Sequence, residues 1–311
     1  MKKFWMAAMA GLFLFGGSAN AQAEIKISAA YVAIGDSLAA GQTPERQIDA
    51  GYADLIAQEL SRNQPVAFYS KNLAFPGFTT ADVLDSIQTD EAKEVLASAN
   101  LITVSAGAND LLRLVQNDPA QGSLTFQQVQ ADFALNEARK NMDLILAELT
   151  EQSPDAAVYV MGYYFAYPHV RDSQKNGTAK QLDRLNQILQ QSAEKAGAVF
   201  VSVDKPFGEN AVDKVPNAAD VHPNIVGYQA MANAFFDEYQ AAWTVEDLEL
   251  PPPNPLSFEQ IMEAQDQEEQ EEQEEQDGQD QEGSDSEETA QRPSDRSPTG
   301  YFALREAMPY I

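Results

Sequence analysis

The order of apolar and polar segments predicts an α/β fold with a parallel sheet covered by helices on both faces. Three observations carry that expectation. Five short runs with the composition of buried strands recur between residues 25 and 203. Segments with apolar residues at helical spacing separate them, so strand and helix alternate along the chain. No internal repeat interrupts the alternation, and a sheet covered on both faces needs such continuous apolar strands.

The first strand is expected over Ile25 to Ile34, where Tyr31-Val32-Ala33-Ile34 is aromatic, β-branched or small throughout. Gly41 to Ala50 is a polar loop containing Pro44, and Gly51 to Leu60 then places Tyr52, Leu55, Ile56 and Leu60 on one helical face. Val66 to Leu73 is the second strand. Thr79 with Asp82 three residues on is a helix start, because the hydroxyl and the carboxylate can satisfy each other's backbone N–H groups. Leu101 to Ser105 is a third, buried strand, and a long helix runs from about Phe126 to Glu151. Ala156 to Met161 is the fourth strand. A helix over Gln181 to Ala196 follows, with Gly197 as its C-terminal cap. Ala198 to Val203 is the fifth strand, and Asn224 to Trp243 the last helix.

The flanking segments read differently. Residues 1–23 have Lys2 and Lys3, a short apolar run from Phe4 to Phe15, and Ala19-Asn20-Ala21, the pattern of a secretory signal peptide cleaved after Ala21. The globular domain is expected over 24–245 and a Pro-rich spacer over 246–258. Residues 259–300 form an acidic Glu/Gln-rich tail that cannot bury apolar surface and is expected to be disordered. Residues 301–311 regain aromatics, with no role readable. The sequence contains no cysteine, which excludes disulfides, a thiolate nucleophile and cysteine metal sites. A net charge of −28 does not suit nucleic acid or anionic membrane as a partner. The tail is a solvated spacer or a weak calcium binder. No second apolar run of membrane length follows the leader, so the mature chain is expected to carry no integral membrane segment and to be secreted, whether released or held at the cell surface.

Four stretches carry chemistry. Gly35-Asp36-Ser37-Leu38 ends the first strand, which would put the Ser37 hydroxyl at the carboxyl edge of the sheet, where open α/β sheets bind ligands. A serine there can attack a carbonyl while its own N–H helps to hold the oxyanion. Pro76-Gly77 follows the second strand, and a glycine lets a backbone N–H approach an oxyanion closely. Gly107-Ala108-Asn109-Asp110 follows the third, where the Asn109 amide can point into a cleft. Each could equally be a turn taken alone. The sequence has two histidines, so a base working near neutral pH is His169, in the aromatic loop Tyr163 to Tyr167 and beyond, or His222, held by Pro223 before the last helix. Together, a strand-end serine, a glycine, an asparagine and a loop histidine in the loops of one sheet point to acyl transfer.

With these four blocks in this order, the chain resembles the SGNH hydrolases, or GDSL lipases/esterases, over roughly residues 28 to 243. The resemblance implies a three-layer α/β/α sandwich with a flavodoxin-like parallel sheet. It implies Ser37 as nucleophile, His222 as base, and the Ser37 N–H, Gly77 N–H and Asn109 side chain as the oxyanion hole, with no metal or cofactor. One feature departs from the family pattern. The acid usually stands three residues before the histidine, and that position is Ala219; the nearby acid is Asp220, two residues before. Either Asp220 reaches the imidazole from there, or a backbone carbonyl orients it. The expected activity is that of a serine esterase or lipase on a small-molecule or lipid ester. An acetyl esterase on cell-wall or extracellular polysaccharide is the alternative within the class, and a non-catalytic surface module with an acidic tail the alternative outside it.

Overall fold

The computed structural model describes residues 28–208 and 210–252. The signal segment, residues 253–258 of the Pro-rich spacer, the acidic tail with its calcium expectation, and residues 301–311 lie outside the described residues, as do residues 25–27 of the first expected strand. The chain divides into two units after Pro253, and every described residue belongs to the first.

Strand β1 (Ala29–Gly35) is buried along its whole length, as its uninterrupted apolar sequence requires of a central strand. It runs through Asp36 into a single helical turn, α1 (Ser37–Ala40), and then into α2 (Tyr52–Asn63). β2 (Val66–Ala74) is more exposed and carries Ser70, Lys71 and Asn72, the polar content of an edge strand. Thr79 caps α3 (Thr80–Ser86): its hydroxyl accepts the Asp82 N–H, and the Asp82 carboxylate accepts the Thr79 N–H at 2.8 Å. After α4 (Asp90–Ala97) comes β3 (Leu101–Ser105), again fully buried. It leads into α5 (Ala108–Leu112), a short antiparallel hairpin of β4 (Gln116–Asp118) and β5 (Ser123–Thr125), and the long α6 (Gln128–Gln152). β6 (Ala157–Met161), α7 (Asp172–Ala196), β7 (Val199–Val201), α8 (Asp204–Phe207) and α9 (Ile225–Tyr239) complete the domain.

The main sheet is parallel throughout, in the order β2-β1-β3-β6-β7. Counting only its own strands, that is the flavodoxin-like order 2-1-3-4-5, whose switch point lies between β1 and β3. The helices form two groups: α2 packs with α9, and α3, α4 and α7 pack with α6. These flank the sheet, so the three-layer expectation holds. The core between the layers is built from Val32, Ile34, Val104 and Val160 of the strands and Leu55, Leu146, Leu189 and Phe235 of the helices, all buried.

Several boundaries differ from the sequence reading. Helix α7 begins at Asp172, nine residues before the expected start. The added stretch, Asp172-Ser-Gln-Lys-Asn-Gly-Thr-Ala-Lys180, has no apolar period and contains Gly177, so only tertiary contact reveals it. The β4–β5 hairpin and α4 have no counterpart among the expected elements. Three-residue strands carry no period, and α4 is announced mainly by its cap, Thr89, whose hydroxyl accepts the Ala92 N–H. Helix α9 stops at Tyr239 rather than Trp243. Residues 246–250, assigned to the spacer, pack on the domain instead. Arg62 pairs with Glu249 at 2.8 Å, and the Gln229 side chain donates to Val245 O and to Asp247. No helix among the described residues is long and apolar enough to cross a membrane.

Candidate active site

The site forms where β1 and β3 end side by side. Gly35 has φ +134°, and a Cβ there would lie 2.0 Å from the Ser105 carbonyl oxygen. Only glycine permits that approach. The Asp36 N–H then donates to the same carbonyl at 2.9 Å, so the nucleophile turn is tied to β3. The Asp36 side chain is buried and accepts three bonds, from Leu38 N–H (3.0 Å), Ser105 Oγ (3.0 Å) and the Tyr163 hydroxyl (2.5 Å). Burial raises the Asp36 carboxyl above its ordinary value, and the three donors, with the nearby His222, offset part of that rise. Burial also pushes the Tyr163 hydroxyl well up, reinforced by the Asp36 charge, so Tyr163 remains a donor.

The structure brings Ser37, His222 and Asp220 together. Ser37 Oγ lies 2.8 Å from His222 Nε2, and His222 Nδ1 lies 2.5 Å from Asp220 Oδ1. The Asp220 side chain is 8% exposed and that of His222 12%. Burial would raise the Asp220 carboxyl, but the hydrogen bond and charge of His222, its backbone N–H and Arg46 together hold it below the usual carboxylate range. An ionised carboxylate only accepts, so Nδ1 carries the proton and Nε2 presents its lone pair to the serine. The two-residue spacing works because Asp220 Oδ1 also accepts the backbone N–H of His222, at 2.8 Å. The loop is held on its other side by Tyr164, whose hydroxyl donates to Val221 O at 2.7 Å and whose ring stacks on Phe207. His169 lies elsewhere: it is exposed, and its Nε2 lies 2.7 Å from Val215 O.

The two remaining sequence candidates sit differently. Asn109, in the first turn of α5, lines the same cavity as Ser37, and its amide donates to Phe78 O at 2.9 Å. Gly77 lies next to that carbonyl, on an exposed turn with φ +81°, and it does not line the cavity. The Phe75 N–H donates to Gly35 O at 2.9 Å, which anchors the Gly77 turn to the end of β1. Asn109 therefore holds the loop that carries Gly77.

A cavity of about 100 Å³ opens beside Ser37 and His222. It runs along α5 to Leu182 and Leu185 of α7, with the 163–167 loop as a further wall. Sequence reasoning singles out that aromatic loop but not its division of labour. Tyr163 and Tyr164 face inward and hold Asp36 and Val221, while Phe165, Ala166 and Tyr167 are half-buried cavity wall. Tyr163 as a partner of Asp36 has no signal in the sequence, since the two are 127 residues apart.

A doubly wound parallel sheet with serine, histidine and aspartate in hydrogen-bonded sequence at its switch point has the constellation of a serine hydrolase. The chain matches the GDSL-like Lipase/Acylhydrolase family over residues 33–230, and it belongs to that family. Membership makes it a hydrolase acting on esters. Among individual proteins, it is 22% identical over 211 residues to the uncharacterized protein YpmR of Bacillus subtilis (strain 168), covering 66% of this chain and 78% of the relative. Among solved structures it resembles the lipase Lip_vut3 from a goat rumen metagenome, with a TM-score of 0.53 and 19% identity over 67% of this chain and 95% of that one. It also resembles Axe2, an acetylxylan esterase from Geobacillus stearothermophilus, with a TM-score of 0.51 and 20% identity over 70% of this chain and 97% of that one. At such identities the structural likeness speaks for the fold.

Proposed function

We propose that the protein is a secreted serine carboxylic ester hydrolase that works through an acyl-enzyme. The observation that carries this reading is the unbroken chain Ser37 Oγ, His222 Nε2, His222 Nδ1, Asp220 Oδ1, at 2.8 and 2.5 Å. His222 Nε2 removes the Ser37 proton as Oγ attacks the ester carbonyl. The resulting imidazolium is stabilised by Asp220. The oxyanion is held by the Ser37 N–H and by the Asn109 amide N–H that Phe78 O leaves free, each donor lowering the barrier by about 2–4 kcal/mol. His222 gives its proton to the leaving alcohol. Water then attacks the acyl-enzyme by the same route, and the acid is released.

Hydrolysis of p-nitrophenyl esters by the wild-type chain and by Ser37→Ala, with a fluorophosphonate label mapped by mass spectrometry, tests the assignment. Label on Ser37 and a loss of kcat on the order of 10⁴-fold or more in the variant are expected. Turnover that persists in the variant sinks it. Export is tested separately: protein recovered from the culture medium should begin at Gln22, one residue after the expected cleavage.

A further inference from the structure

We propose that the cavity beside Ser37 is an acyl-chain site, and that it selects a medium-length unbranched acyl group over acetyl. The inference rests on the serine-hydrolase reading above and adds the substrate class. A water-sized sphere occupies ~10–15 Å³. The 100 Å³ cavity is several such spheres in volume, so it holds an acyl chain of several carbons, whereas an acetyl methyl would leave most of it empty.

Its chemistry points the same way. Leu111, Leu112, Leu114, Phe126, Leu182 and Leu185 are among its walls. Beyond the catalytic end, its polar lining groups include Thr178 and Gln181, and these already have partners. The Thr178 hydroxyl donates to the Gln174 and Lys175 carbonyls, and Gln181 exchanges hydrogen bonds with Gln128. Apart from the Tyr167 hydroxyl, the hydroxyls of a sugar would find few partners in such a wall, which is costly. A hydrocarbon chain enters it without loss.

The order of the reaction assigns the cavity to the acid half of the ester. The alcohol leaves first, while the acyl group stays tethered to Ser37 and water must still reach His222. An alcohol chain buried in the cavity would have to withdraw past the tethered acyl group. An acyl chain lying in it leaves the mouth open. The far wall comes in part from the nine residues that start α7 early, through Thr178, and that stretch is tied to the β4–β5 hairpin by the Arg171 N–H just before it donating to Gly122 O at 3.0 Å.

The test is a chain-length profile of kcat/KM on p-nitrophenyl acetate, butyrate, octanoate and palmitate, with octyl acetate and acetylated xylan as the opposing arms. Each buried methylene favours binding by roughly fourfold. Octanoate should therefore exceed acetate by roughly a hundredfold or more, and palmitate should fall again. Thr178→Phe and Leu182→Trp, which fill the cavity from α7, should lower the octanoate-to-acetate ratio by about tenfold or more. Thermal melting and fluorophosphonate labelling of Ser37 report whether each variant stays folded, and the wild-type profile decides the matter if neither does. A flat profile, a preference for acetylated xylan, or octyl acetate matching p-nitrophenyl octanoate overturns the acyl site while leaving a Ser37-dependent esterase standing. Turnover unaffected by Ser37→Ala overturns the reading beneath it.

Discussion

Replacing Asp220 by asparagine separates a triad from a serine–histidine dyad. Asparagine keeps the shape and one carbonyl oxygen, so the backbone N–H of His222 keeps an acceptor. What disappears is the negative charge beside the imidazolium that forms when Ser37 is deprotonated. Both side chains are nearly buried, 8% and 12% exposed, and in contact at 2.5 Å. Unit charges about 4 Å apart interact by about 4 kcal/mol at an effective dielectric of 20 and by about 1 kcal/mol in bulk water. Burial decides for the larger figure, so kcat should fall about 10³-fold with little change in KM. The assay is steady-state hydrolysis of p-nitrophenyl octanoate, with melting to verify the fold. A folded variant within about fivefold of wild type refutes the reasoning, because that is all a solvent-exposed charge would supply. Stability gives a second readout. The Asp220 carboxyl lies lower in the folded state than in the unfolded chain, so its contribution is present above the unfolded value near 3.9 and is lost as pH falls through the folded one. The stability gap between wild type and Asp220→Asn should therefore close as pH drops below about 4.

Other positions give equally direct expectations. Tyr163→Phe removes a donor from the buried Asp36 and should cost about 1.5–3 kcal/mol by chemical denaturation. Because the Asp36 carboxyl is raised in the folded state, its stability contribution falls as pH rises from the unfolded value towards the folded one. Loss of Tyr163 lifts the folded value further, so the deficit should be smallest near the unfolded value and grow as pH rises above it; a deficit independent of pH would mean that the hydroxyl does not serve the carboxylate. Gly35→Ala forces a Cβ to 2.0 Å from Ser105 O at φ +134°, and should cost more than about 3 kcal/mol or prevent folding; a cooperative melt close to that of wild type would contradict the packing. Asn109→Ala should lower kcat about 10²–10³-fold with KM nearly constant, and a change confined to KM would remove Asn109 from the oxyanion hole.

What the sequence disclosed follows the range of the forces involved. β1 and β3 were legible because a strand buried on both faces is built mostly of apolar and β-branched residues, and the buried Thr103 and Ser105 hydroxyls of β3 are small and hydrogen-bonded. The Thr79–Asp82 cap and the Gly197 C-cap were legible because capping is local. The early start of α7 and the β4–β5 hairpin were not, since each is fixed by contacts such as that between Arg171 and Gly122 rather than by its own residues. The same division runs through the site. Ser37, Asn109 and His222 could be placed from the loops they occupy. The Tyr163–Asp36 bond, which joins the end of β6 to the end of β1, could not.

The shifted acid shows why spacing is a weaker guide than geometry. A three-residue spacing lets a carboxylate approach the ring from one turn away; a two-residue spacing brings it onto the histidine's own backbone. Here that proximity serves the site. Asp220 Oδ1 accepts the His222 N–H at 2.8 Å and the ring Nδ1–H at 2.5 Å, so a single oxygen fixes both the loop and the imidazole it carries. Oδ2 is left facing Arg46, itself at φ +63°, whose Nε lies 3.8 Å from it. Tyr164 restrains the intervening Val221 carbonyl, and the Asn224 N–H donates to Lys214 O just beyond the histidine. A loop held at Asp220, Val221, His222 and Asn224 leaves the imidazole little freedom except to face Ser37. The requirement on the acid is therefore the position of one oxygen, which this chain meets by a different local turn.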